Sequence, residues 1–141
     1  MKFIFSTILL SISCFASNIT TQEMPLDKMQ GQNKEIAKLA ATELSKLLPQ
    51  TIDKHTKLTK VEAQDATLIY IYEINAAPKS DAQIKQEDHS RMKEAITYGV
   101  CSSSQRFLKA NIAIRYIYNS AQSKSELFHF DIDAKSCENL K

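Results

Sequence analysis

The sequence predicts an α+β fold: a two-layer sandwich in which an antiparallel sheet of about four strands carries two main helices on one face, with one disulfide. Three observations lead there. Apolar residues recur at helical spacing in two segments, and three other segments follow the period-two order of strands, rich in Ile, Tyr and Phe, with a short polar strand-like segment before them. Two cysteines, Cys101 and Cys137, flank the last pair of strand-like segments. The chain has 141 residues, 43% of them hydrophobic, which suits one globular domain and is too apolar for a disordered chain.

The chain opens on Met1-Lys2 and an uncharged apolar run over residues 3–12. Ser13-Cys14-Phe15-Ala16 follows, with small residues at its last and third-last places. This three-part pattern predicts a secretory signal peptide over 1–16. The apolar run falls short of the ~20 residues that span a bilayer. Cleavage after Ala16 would give a soluble periplasmic or secreted protein. Alternatively, Ser11-Ile12-Ser13-Cys14 loosely resembles the bacterial lipoprotein box, which makes Cys14 a candidate lipidation site and the protein an outer-membrane-anchored lipoprotein. Residues 17–32 are polar, broken by Pro25 and Gly31, and read as a flexible leader. The domain is expected over 33–141.

From residue 33 the pattern is helical. Ile36, Leu39, Ala40, Leu44, Leu47 and Leu48 form the apolar stripe, Lys34, Glu35, Lys38, Glu43 and Lys46 the polar one, and Pro49 ends it. A short polar strand is predicted over 57–64, with Leu58 and Val61 inward, then a turn at Asp65. The central strand follows over 66–75, with Leu68, Tyr70, Tyr72 and Ile74 on one face and Ile69, Ile71 and Glu73 on the other. After a loop at 76–82 containing Pro78, Ser80 or Asp81 is expected to cap a second helix running to about Tyr98. Its inner stripe is Ile84, Asp88, Met92, Ala95 and Ile96, and Gly99 stands as its C-cap. Cys101 falls in the joint, and residues 102–104 are serines placed to cap a short turn containing Phe107 and Leu108. Two strands, 112–119 and 125–133, form a hairpin across 119–124 and close the chain, with Cys137 just beyond. The order implies two hairpins merging into one antiparallel sheet.

Several chemistries are excluded. Gly31 and Gly99 each stand alone, so no glycine-rich phosphate cradle can form. The formal net charge of +2 is too balanced for a nucleic-acid-binding face. With Cys14 in the signal, Cys101 and Cys137 remain as an even pair in an oxidising compartment and are expected to form a disulfide stabilising the fold by roughly 3–4 kcal/mol. Neither belongs to a CxxC pair. His55, His89 and His129 are scattered. His129 and Asp131 share a strand face and could in principle ligate a metal, but a solvated outer face explains them. Asp88 and His89 point in different directions and make no dyad. No serine sits in a glycine-flanked elbow, and the acidic residues occur singly. Tyr70, Tyr72, Tyr116 and Tyr118 could stack on a sugar or peptide, yet core packing with hydroxyls at the rim explains them better. No catalytic, cofactor-binding or metal-ligating residue is therefore assigned, and no cofactor is expected. A groove between sheet and helices, able to take a partner's strand or amphipathic helix, is what remains.

From Leu48-Pro49 to Cys137 the layout resembles the β-class pilotins of type II secretion. The shared features are Leu-Pro ending a first helix, a polar strand leading into an apolar YxY strand, and a helix closing on Tyr98-Gly99-Val100-Cys101-Ser102. A short helix, a hairpin of the form IAIRYIYNSAQSKSELFHFDI and a final Ser136-Cys137 follow. Small exported bacterial α+β proteins of uncharacterised function share this layout. The resemblance implies a sheet flanked by helices, an intramolecular disulfide with Cys101 and Cys137 as its matching positions, and a partner that is the C-terminal segment of a secretin escorted to the outer membrane. The expectation is an exported, disulfide-bridged module that binds another envelope protein, with no nucleic-acid partner and membrane contact only if Cys14 is lipidated. A small secreted enzyme or toxin, or an inhibitor or immunity protein of a periplasmic hydrolase, is the alternative.

Overall fold

The computed structural model describes residues 25–138 and Leu140. The expected signal peptide, Cys14 within it, and the leader as far as residue 24 lie outside those residues. The first helix, α1 (Leu26–Ser45), starts before residue 33, so residues 26–32 of the expected leader are helical. Pro25 precedes it with φ −51°, a value that feeds a helix, and Asp27 lies in the first turn at the positive end of the helix dipole.

The sheet differs from expectation in two ways. It has five strands in the order β1-β2-β3-β4-β5: β1 (Gln50–Thr51), β2 (Thr56–Gln64), β3 (Thr67–Ile74), β4 (Ala113–Ser120) and β5 (Glu126–Ile132). The added strand, β1, is a two-residue pairing just after Pro49, too short to show any period. The sheet is also mixed: β2–β3 and β4–β5 are antiparallel, but β3 and β4 run parallel. The connection between β3 and β4 contains three helices and brings the chain back to the end from which β3 started, which makes the pairing parallel. The parallel register sets Tyr70 beside Tyr116 and Tyr72 beside Tyr118.

The predicted second helix divides into α2 (Asp81–Gln86) and α3 (Ser90–Ser103). Ser80 caps α2 as expected, in a capping box with Gln83. Gly99 is not a C-cap. It lies inside α3, which continues through Cys101 to Ser103; Ser102 and Ser103 donate their hydroxyls back to the Tyr98 and Gly99 carbonyls at 2.9 and 2.8 Å. The short helix α4 (Gln105–Lys109) then ends on Asn111 at φ 59°. The Asn111 and Ile112 amides close onto the Leu108 and Phe107 carbonyls at 3.0 and 2.9 Å, a Schellman end with Asn in the left-handed position.

The helices cover one face of the sheet, as expected, over two clusters. Ala41 of α1 packs with Leu58, Val61 and Leu68; Val100 of α3 and Leu108 of α4 pack with Ile114, Tyr118, Phe130 and Ile132. Tyr70 and Tyr72 touch both clusters. Leu68, Ile112, Ile114 and Ile132 are the largest side chains almost fully removed from water, each worth about 1.5–3 kcal/mol of burial. The other face carries Ile71 and Ile117 among ion pairs such as Arg115–Asp131 and Lys60–Glu62.

Candidate functional site

The apolar face of α1 is wider than the sheet beneath it. Ala37 and Ala41 are buried, but Ile36 and Leu39 turn sideways and are 43% and 66% exposed. Across from them stands the α3–α4 joint, contributing Ser103, Ser104, Arg106 and Phe107. Apart from a few residues, α1 does not pack against α3 or α4. The gap is a cleft of about 530 Å³, walled on the α1 side by Ile36, Leu39, Ala40 and Leu44, with Tyr70 of β3 as its floor. It is open to solvent and takes in the side chains that α1 turns away from the sheet.

The floor is uncharged. Burial pushes the Tyr70 phenol up to about 12, with the nearby Tyr116 adding to the rise and Arg106 opposing it. Burial likewise raises the Tyr72, Tyr116 and Tyr118 phenols above the ordinary tyrosine value. Tyr70 and Tyr116 meet edge to face with centroids 5.1 Å apart, and Tyr72 and Tyr118 stack at 5.0 Å, so the rings hold each other in place. Neutral hydroxyls and ring edges make a surface able to take apolar side chains and to hydrogen-bond at its rim.

Three devices fix the walls. Asn33, only 7% exposed, donates Nδ2–H to the Ala110 carbonyl at 2.5 Å and ties α1 to the end of α4. Ser45 shares its one hydroxyl proton between the Ala41 carbonyl of its own helix at 2.7 Å and the Val61 carbonyl at 2.9 Å, which brings the other end of α1 against β2. Cys101 and Cys137 stand at disulfide distance, with Cα atoms 5.6 Å apart, and join the last turn of α3 to a closing 3₁₀ turn over Lys135–Cys137. The joint immediately after Cys101 is the wall of the cleft.

The remaining residues singled out in the sequence lie elsewhere. His129 and Asp131 are on the open face, with Nε2 and Oδ2 3.7 Å apart; His129 Nδ1 contacts Glu126 at 2.6 Å, and Arg115 holds both carboxylate oxygens of Asp131 at 2.5 and 3.1 Å. Among the described residues, no group of three or more His, Cys, Asp or Glu could hold a metal. His89 stacks on Phe128 at 3.8 Å and contacts the Ile84 carbonyl at 3.0 Å, a packing role. Near His55, the Asp53 carboxylate accepts the His55 and Thr56 amides at 2.7 and 2.9 Å and shapes a turn. Of the four tyrosines, Tyr70 lines the cleft and Tyr118 is core.

Sequence reasoning missed Arg106 and Phe107 as site residues and took Ile36 and Leu39 for core. The available signal was the breadth of the α1 stripe, which exceeds what one side of a two-layer sandwich can bury. Among the described residues, no helix is long and apolar enough to cross a membrane.

A two-layer α+β domain with a mixed sheet and an open cleft between its helices is the class this geometry defines, and its layout resembles that of two type II secretion pilotins. The chain belongs to the family described as a domain of unknown function (DUF8479), which matches residues 31–128. A Pseudomonas aeruginosa protein described as secreted has the same fold, with TM-score 0.70 and 16% identity, covering 81% of this chain and 98% of that one. The pilotin EpsS of the Vibrio vulnificus type 2 secretion system gives TM-score 0.63 at 15% identity, covering 79% and 96%. The type II secretion system pilotin AspS of Vibrio cholerae gives 0.60 at 17%, covering 79% and 97%. None of the curated proteins matches the sequence. At these identities the likeness is one of fold.

Proposed function

We propose that this protein is a non-enzymatic accessory of the bacterial envelope that binds another envelope protein by receiving an amphipathic helix in the cleft between α1 and the α3–α4 joint. The observation that carries this reading is the unpartnered apolar side of α1: Leu39 and Ile36 face a formed cavity over Tyr70 instead of a helix of the same chain. Water-exposed apolar surface in a preformed groove, rimmed by polar groups, is the usual form of a partner site. Fold likeness to two type II pilotins supports a secretion or assembly accessory role, and the export signal expected over residues 1–16 suits a periplasmic, secreted or lipid-anchored location.

Affinity capture from bacterial envelope extract tests it. The folded chain is expected to retain one stoichiometric partner, and Leu39→Asp, which places a charge on the cleft wall at a solvent-exposed site, should lose that partner without losing stability. Equal capture by both forms would remove the cleft from the account.

A further inference from the structure

We propose that the helix received by the cleft carries an acidic side chain opposite Arg106, so that the site selects by charge as well as by apolar shape. This inference rests on the docking reading above and adds the chemistry of the partner. No lysine lines the cleft, and three of the α1 cations are engaged elsewhere: Lys34 holds Asp65 at 2.9 Å, Lys38 holds Glu35 at 3.0 Å, and Lys46 holds Glu43 at 2.7 Å. Glu43 is the acid lining the cleft; it stands on the α1 wall, opposite the α3–α4 joint, in an exposed pair with Lys46. Arg106 lines the opposite wall, and among the described residues it makes no ion pair.

Its position is held without a carboxylate. The guanidinium carbon lies 5.0 Å from the Phe107 ring centroid, a cation–π contact that lays the side chain along the apolar wall. Its charge reaches Tyr70, where it opposes the effect of burial on the phenol. Ser104, whose hydroxyl has Ser103 Oγ at 3.4 Å as its neighbour, lies on the same wall. The cleft therefore contains one uncommitted cation beside hydroxyl groups, at the edge of an apolar floor. A guanidinium fork matches a carboxylate with two parallel N–H···O bonds, and beside an apolar surface such a pair is stronger than in open water. A lysine at the same place on the incoming helix would be repelled.

Two C-terminally amidated helical peptides of about 18 residues, long enough to hold helix in isolation, serve as probes. Both carry Leu at the i, i+3, i+4, i+7 positions of one face; one has Glu and the other Lys at the flank facing Arg106. Calorimetric titration into the folded protein should give the Glu peptide a roughly tenfold tighter Kd, a preference that shrinks as salt is raised. Arg106→Gln should bring the two within about twofold, and Arg106→Glu should reverse the order. If both peptides bind equally to the unaltered protein, or the preference survives in Arg106→Gln, the acidic-partner inference falls and the docking reading stands. If neither peptide binds, both fall.

Discussion

Replacing Asn33 by alanine tests whether one buried amide holds the two walls of the cleft together. The Asn33 side chain joins α1 to the Ala110 carbonyl across 77 positions of sequence. Its removal deletes that hydrogen bond and leaves a half-buried carbonyl with less solvation, at a cost of about 1–3 kcal/mol. Alanine is the better helix former by about 0.5 kcal/mol, which offsets part of the loss because position 33 is interior to α1. The net expectation is a destabilisation of about 1–2 kcal/mol, or a fall in Tm of roughly 4–8 °C for a domain of this size. Urea denaturation followed by circular dichroism measures it, with an unchanged m-value because the same surface is exposed on unfolding. Asn33→Asp should cost more than Asn33→Ala, since a carboxylate cannot donate and would face a carbonyl oxygen. In heteronuclear NMR the Ala variant should also shift the amides of Ile36 and Leu39, one turn along the cleft wall. Stability of Asn33→Ala within about 0.5 kcal/mol of the unaltered chain, or Asn33→Asp as stable as the original, would refute the pin.

The paired variant Cys101→Ser/Cys137→Ser should lose about 4 kcal/mol of stability, from the loop closed over a separation of 36 residues, and reductant should destabilise the unaltered chain equally; non-reducing mass spectrometry that finds two free thiols would remove this contribution. At alkaline pH the raised phenols set the sign. The folded Tyr70 titrates at about 12 and the unfolded one near 10, so its contribution is complete below about pH 10 and is lost as pH rises from there through 12. Tyrosinate absorbance against pH should show late-titrating phenols in the folded chain, and a single transition near pH 10 would contradict the buried floor.

Strand identity was readable wherever one face is buried. In the LIYIYEI segment Leu68 is core while Glu73 reaches the other side, although Ile69 on that other side is buried as well, and Asp65 could be placed in a turn because it tolerates the φ of 52° adopted there. Pairing direction was not readable. Parallel and antiparallel partners of β3 need the same alternation, and only the path taken through α2–α4 decides between them. The break between α2 and α3 escaped detection because Ile84 and Met92 still fit one helical stripe across it. Gly99 misled for the opposite reason: its residue type signals a helix end, yet a Cβ there would meet nothing within 4 Å, and the helix runs on. The even count of cysteines outside the expected signal pointed to Cys101 and Cys137 as partners, and the fold brings their Cα atoms within 5.6 Å. The cleft was not, because Leu39 in a sandwich core and Leu39 on an unfilled wall leave the same mark in the sequence; only the distance between α1 and the α3–α4 joint separates them.

Site-specific photo-crosslinking from Leu39, with Ile117 on the open sheet face as the matched control, tests the docking site most directly. With a photoreactive residue at position 39 of the full chain in living cells, one adduct is expected, mapped by peptide sequencing to an apolar helical segment of an envelope protein, and no adduct from position 117. Adducts from position 117 to the same segment, or none from position 39 while the partner remains bound, would contradict it.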